Sequence, residues 1–314
     1  MKIYFKLKLI LLMLTLLNLT QFAYSKSCQL VICDLTAKSY DQAIDIINES
    51  VKPTLSLWQI KTNNNSLANI CILNYARPEF IVKAFVNEHT KPVKTVVSDT
   101  NALVGINGGY FNLNNGKSAS YICAHKQIIA NPHDNPDLVN NPKLMPYLTQ
   151  IFDRSEIRFV QTLDRTYFTI CKHSYPLEKN ANLLWSLQAG PQLLPDLTLA
   201  AEAFVRINSD GTKTDAIGSN VNKPRSAIGL TANQNLILIT IAGSSQSPGS
   251  VGITLPDLTQ IFKDLKCIQA LNFDGGTSTT MVAKLNNDNV IDLCTKIPAT
   301  LIKSGLIIVN NAHY

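Results

Sequence analysis

The chain has 314 residues, 46% of them hydrophobic and 16% charged, with a formal net charge of +6; that is enough apolar content for a real core in one large domain or two small ones. Three of the positive charges, Lys2, Lys6 and Lys8, precede an apolar run from Leu9 to Leu19, so removal of residues 1–25 leaves +3. A chain so mildly basic gives no electrostatic case for nucleic acid, and no later stretch is long and apolar enough to span a bilayer.

The first element is a secretory signal. A basic start, a short apolar run and the small-x-small pattern Ala23-Tyr24-Ser25 predict cleavage after residue 25. The mature product, residues 26–314, is expected to be exported to a periplasm or the medium, without stable membrane insertion. Apolar residues at Ala43, Ile44, Ile46 and Ile47 predict a short helix over Asp41–Glu49. Strands follow at Leu55–Lys61 and Asn69–Tyr75 around the turn Asn63-Asn64-Asn65, then at Phe80–Val86, before a helix over Val93–Thr100.

Residues 131–146 hold four prolines and four asparagines, a composition that predicts an irregular loop on the rim of a pocket. Strands resume at Glu156–Val160, Tyr167–Cys171 and Leu183–Gln188, with a short one at Gln192–Leu194 and a hairpin-like turn at Ser209-Asp210-Gly211. Arg225–Leu230 and Leu236–Ala242 read as a pair. The clearest helix is Leu255–Leu265, with Thr254 as N-cap, Asp257 in the capping-box position and one apolar stripe of Leu255, Leu258, Ile261, Phe262 and Leu265. Strands ending at Asp274, then at Met281–Leu285 and Leu301–Val309, complete the chain. Strands outnumber helices and connections are short, which predicts an α+β fold: mixed or antiparallel sheets with a few packed helices in a single catalytic domain.

All seven cysteines, at positions 28, 33, 71, 123, 171, 267 and 294, lie in the mature part. Export permits disulfides; Cys28–Cys33 and Cys267–Cys294 are the pairs that spacing suggests. An odd count leaves at least one thiol unpaired within a monomer. No CxxC and no nearby histidine completes a zinc pattern, so structural roles are expected throughout.

Two glycine-centred segments carry the strongest signal: Asn107-Gly108-Gly109-Tyr110-Phe111 and Asn272-Phe273-Asp274-Gly275-Gly276-Thr277-Ser278-Thr279. Each reads as a buried strand delivering Asn or Asp to its end, then a glycine pair whose positive φ and close approach suit an anion-binding nest. Gln188-Ala189-Gly190-Pro191 and Lys223-Pro224-Arg225-Ser226 are the other two segments with polar residues that a core would not need. Singly, each is a turn, a breaker or a surface charge. Together they supply a carboxylate, a guanidinium, carboxamides and glycine amides, the donor set for an anionic, hydroxyl-rich ligand. No segment has the form G-x-S-x-G, and the histidines (89, 125, 133, 173 and 313) lie outside all four. Oxygen ligands around Asp274 would suit calcium or magnesium, but the motifs hold no second carboxylate, so neither a catalytic metal nor a cofactor is expected.

The ordered set Asn-Gly-Gly-Tyr-Phe, Gln-Ala-Gly-Pro, Pro-Arg-Ser-Ala-Ile-Gly and Asp-Gly-Gly-Thr-Ser-Thr resembles the phosphodiester glycosidase family over about residues 100–310. Thr277 stands where the family usually has a third glycine. The resemblance implies hydrolysis of a sugar C1–O–phosphate bond, in a glycan or a small phosphodiester. On that reading Asp274 serves the oxocarbenium-like sugar as nucleophile or as base for water. Arg225 and the amides around Gly108 and Gly109 take the phosphate, and Gly275 and Gly276 bind the substrate beside Asp274. Asn107, Tyr110, Thr277 and Ser278 orient hydroxyls, and Gln188 and Gly190 line the substrate. The alternatives are a non-catalytic secreted glycan-binding protein and a transferase of exopolysaccharide assembly.

Overall fold

The structure, a computed structural model, describes residues 30–50, 54–124, 126–208, 210–285 and 288–311. The expected signal and Cys28 lie outside the described residues. Three sheets and a hairpin account for the strands. The first sheet has seven, in the order Val31–Asp34, Leu55–Lys61, Leu67–Asn74, Asn235–Ile241, Arg225–Thr231, Cys267–Asn272 and Gln192–Leu194. The second runs Gln127–Ala130, Ile122–Ala124, Asn182–Gln188, Ser155–Gln161, Thr166–Lys172. The third runs Val290–Cys294, Met281–Lys284, Val104–Asn107, Ile302–Asn310, Phe80–Lys91. Only the pairing of Val31–Asp34 with Leu55–Lys61 is parallel among those described. The mixed, mostly antiparallel α+β design is as the sequence predicts.

Side chains alternate across the first sheet with period two. Leu55, Leu57, Leu73, Ile228, Leu236, Leu238 and Leu271 face the main core, which they share with Ile157 and Leu187 of the second sheet and Ile106, Leu306 and Ile308 of the third. Trp58, Ile60, Ile70, Ile72, Ile237, Ile239 and Ile241 point the other way, under the helices Tyr40–Glu49 and Leu255–Asp264. Burial on both faces explains why the central strands read as nearly unbroken apolar runs. The helix Val93–Asp99 covers the outer face of the third sheet through Val93, Val96 and Val97.

Several expectations need amendment. The strand from Phe80 continues to Lys91, and the strands Val31–Asp34, Ile122–Ala124, Gln127–Ala130 and Val290–Cys294 carry no clear alternation in sequence. Residues 131–146 are not irregular. They fold into short helical turns, Pro132–Asp134, Pro136–Val139 and Met145–Tyr147, because prolines at the first helical positions preset φ. Thr254 accepts from the Asp257 amide, but its hydroxyl donates to the Asp257 carboxylate, so the cap is not reciprocal. The reciprocal capping box belongs instead to Ser39 and Gln42. No disulfide joins Cys267 and Cys294: both are buried thiols, on strands of different sheets. Among the described residues no helix is long and apolar enough to cross a membrane.

Candidate active site

The three sheets meet where the polar motifs lie. The strands Val104–Asn107, Asn182–Gln188 and Cys267–Asn272, one from each sheet, end together, and Arg225 opens the strand antiparallel to Cys267–Asn272. Backbone bonds stitch the ends: Asp274 N–H donates to Gly108 O at 2.8 Å, Gly190 N–H to Asn272 O at 3.0 Å, and Phe273 N–H to Ser226 O at 2.8 Å. The two glycine segments, about 165 residues apart in sequence, are thus direct neighbours, as strand-end convergence in a layered fold allows.

Asn107 is the staple of the junction. Buried at 1% exposure, its side-chain oxygen accepts from Ser226 Oγ at 2.6 Å and Thr280 N–H at 3.1 Å, while its amide donates to the Asp274 carbonyl at 2.7 Å. The group therefore fixes Asp274 through the backbone. Asp274 itself is half-buried. Its carboxylate accepts from Gly275 N–H at 2.9 Å and from the Ser278 hydroxyl, yet desolvation outweighs both and raises its pKa from 3.8 to about 7. A carboxyl poised there can take or give a proton near neutrality.

Tyr110 is the hub. Its hydroxyl donates to Gly190 O at 2.8 Å and accepts from Asn272 Nδ2 at 2.9 Å. Burial raises its pKa, the charge of Asp274 adding and those of Arg154 and Arg225 opposing, so the phenol keeps its proton. Gln188, fully buried, accepts from Tyr121 N–H at 3.1 Å and donates to the carbonyls of Phe152 and Arg154 at 2.8 and 3.1 Å. It holds a wall in place.

The glycines do not form the expected nests. Gly108 and Gly109 do not adopt positive φ. They are glycines because a Cβ at Gly108 would stand 2.7 Å from Leu187 Cδ1 and one at Gly109 2.8 Å from Gln188 O. The Gly108 amide donates to Ser304 O at 2.9 Å, and the amides of Gly275 and Gly276 to Asp274 Oδ1 and Pro224 O at 2.9 and 2.8 Å. Gly276 does need its φ of +62°, but Thr277, exposed, lies outside the left-handed region. A threonine in place of a third glycine is therefore accepted without backbone strain.

Arg225 is 3% exposed. Nε donates to Ile253 O at 3.3 Å, Nη1 to Ile217 O at 3.1 Å, and Nη2 to Gly218 O and Val221 O at 2.7 and 3.2 Å. Four of its five N–H groups are committed to carbonyls, which shape the 217–221 loop.

Two functional candidates fall outside the four motifs. Arg154 lies with its guanidinium carbon 3.8 Å from the Phe204 ring centroid and 5.7 Å from that of Tyr110. Glu202 is fully buried beneath Gly190, where a Cβ would come within 2.1 Å of its carboxylate. Four donors, Ser155 Oγ and N–H, Gln192 N–H and Thr198 Oγ1, converge on that carboxylate. The next residue, Ala203, is buried at a φ of +55°, strain of the kind found at functional sites. His133 and His173 pack on the Gln188 side: His173 stacks on Tyr121 at 4.2 Å and pairs through Nδ1 with Glu156 at 2.8 Å, and His133 stacks on Phe152 at 3.9 Å.

A family model described as phosphodiester glycosidase matches residues 100–309. Among solved structures, the chain is similar to the catalytic domain of zebrafish N-acetylglucosamine-1-phosphodiester alpha-N-acetylglucosaminidase, solved auto-inhibited by its pro-peptide. The TM-score is 0.56 at 18% identity, covering 84% of this chain and 85% of that one, a likeness of fold. It is also similar to a hypothetical protein from Synechocystis, with a TM-score of 0.48 at 16% identity over 82% of this chain, which spans 64% of that chain. No curated protein matches the chain.

Proposed function

The chain belongs to the phosphodiester glycosidase family, and from that premise we propose that it is an exported hydrolase that cleaves a sugar C1–O–phosphate bond. The observation that carries this reading is Asp274: a carboxyl with its pKa raised to about 7, half-buried where the three strand ends meet and held by Asn107.

An ordinary glycosidase needs a carboxylic acid to protonate a poor leaving group and a second carboxylate opposite it. A phosphate monoester departs readily, so one carboxyl is enough. Asp274 takes a proton from water as the water oxygen bonds to C1; the C1–O bond breaks and its electron pair leaves with the phosphate. Free sugar and a phosphate monoester are the products, and Asp274 returns its proton to solvent. Ser278 sets the orientation of the carboxyl, and Tyr110, held protonated, orients the sugar hydroxyls. Asn107 acts through Asp274, and Arg225 through the loop its donors organise, while contributing positive charge beside Gly275.

Incubation with a panel of sugar-1-phosphodiesters tests the proposal. Release of free sugar by the wild type, reduced at least about 100-fold in a folded Asp274→Asn variant, is the expected result. Binding without release would assign the pocket to recognition, and sugar passed to an added alcohol would assign it to transfer.

A further inference from the structure

Outside the four motifs, the described residues hold two arginines, Arg154 buried and Arg206 half-buried, whose terminal amino groups the fold leaves largely unengaged. Arg154 is 9% exposed, and its only hydrogen bond among the described residues runs from Nε to the Glu202 carbonyl at 3.1 Å. Both terminal amino groups stay available. The Glu202 carboxylate does not take them, because Ser155, Gln192 and Thr198 occupy it. Arg206, one turn along the same segment, bonds from Nη1 to the Ala203 carbonyl at 3.4 Å, and its Nε is buried with no partner. Neither arginine forms an ion pair among the described residues. Each repels the other's charge. The Glu202 charge favours the Arg154 cation without a direct side-chain bond, yet two guanidinia withdrawn from water side by side remain costly.

Two aromatic rings make the place a built one. Arg154 stacks on Phe204 at 3.8 Å, and Arg206 lies over Tyr147 at 5.5 Å, which keeps both guanidinium planes oriented. Tyr110 lies within the field of both Arg154 and Asp274. On its far side Arg206 lines a cavity of about 610 Å³ together with Lys143, Tyr147, Asn208, Asp210, Thr212 and Thr214. The cavity is polar, with Lys143 and Arg206 set against one carboxylate, Asp210. The segment that supplies both arginines' carbonyl partners, Glu202-Ala203, is the one held at a strained φ under Gly190.

We propose that Arg154 and Arg206 form the anion subsite of this pocket, taking the phosphoryl group of the sugar phosphodiester while the group carried on that phosphate extends into the cavity beside Arg206. The inference rests on the phosphodiester glycosidase reading for the identity of the anion, and it moves phosphate recognition away from Arg225, four of whose five N–H groups are committed, and from the amides of Gly108, Gly275 and Gly276, which bond within the fold. Terminal amino groups of two guanidinia suit the non-bridging oxygens of a phosphate, which Arg binds in bidentate fashion.

The test is calorimetric titration of the full mature chain with inorganic phosphate, beside turnover of a sugar-1-phosphodiester, in Arg154→Gln, Arg206→Gln and the surface control Arg165→Gln. Phosphate affinity is expected to fall at least about 10-fold in each of the first two and to hold in the control. Arg206 is half-buried and makes a single weak bond, so its variant folds even if Arg154→Gln does not. Unchanged phosphate affinity in folded Arg206→Gln and Arg154→Gln, with turnover intact, overturns the subsite and leaves the hydrolase standing. Arginine-dependent phosphate binding with no turnover of any diester keeps the subsite and overturns the hydrolase.

Discussion

Replacing Asp274 by Asn should remove turnover and stabilise the fold, and the second effect has a defined pH signature. In the folded chain desolvation lifts the carboxyl from 3.8 to about 7, against the opposing bonds from Ser278 and Gly275. The folded state thus binds the proton more tightly than the unfolded state does. Stability is greatest below the unfolded value and is lost as pH climbs from there through about 7. At about 1.4 kcal/mol per pKa unit the loss has a ceiling of about 4 kcal/mol, and the solvent contact of a half-buried group reduces it to about 2 kcal/mol. Asn keeps an oxygen for Gly275 N–H and Ser278 but carries no charge to desolvate. In urea unfolding, the advantage of Asp274→Asn over wild type should be about 0.5 kcal/mol at pH 4.5 and about 2 kcal/mol at pH 8. An advantage that is constant across this range, or that shrinks as pH rises, would refute the reasoning.

The same titration governs activity. With Asp274 as base, kcat/KM should rise with pH through about 7, whereas a falling limb there would make Asp274 an acid. Asn107→Ala leaves Ser226 Oγ, Thr280 N–H and the Asp274 carbonyl without their partner, and should cost about 2–4 kcal/mol in urea unfolding together with most of the turnover. Gly190→Ala forces a Cβ to 2.1 Å from Glu202 at a φ of +103°; a loss above about 3 kcal/mol is expected, and near-wild-type stability would contradict the packing described. Reductant should leave Tm unchanged, because the described cysteines are thiols; a fall of several degrees would reveal a bridge.

The architecture was legible where periodicity was strong. Leu255–Asp264 announced itself by an apolar stripe, and the Arg225–Thr231 and Asn235–Ile241 pair by apolar runs around a turn. Short edge strands such as Gln127–Ala130, with three exposed residues in four, carry no such pattern. The four motifs marked the junction correctly, since strand ends near one another need glycine for close approach. What they did not reveal was direction. Whether a glycine amide or an arginine faces a ligand or a neighbouring carbonyl depends on partners far away in sequence, such as Ser304 for Gly108 and Ile253 for Arg225. Arg154 and Glu202 were not legible for a related reason. Neither lies in a glycine-flanked segment, and only the fold places them against Tyr110 and Gly190. The one sequence signal near them is Ala200-Ala201-Glu202-Ala203, an isolated acid among small residues.

The central claim is that the bond broken lies between C1 and oxygen, on the sugar side of the phosphodiester. Turnover of a sugar-1-phosphodiester in water enriched in oxygen-18, with mass analysis of both products, tests it directly. The account predicts the label in the released sugar and an unlabelled phosphate monoester. Label in the phosphate, with unlabelled sugar, would place the cleavage at phosphorus and contradict it.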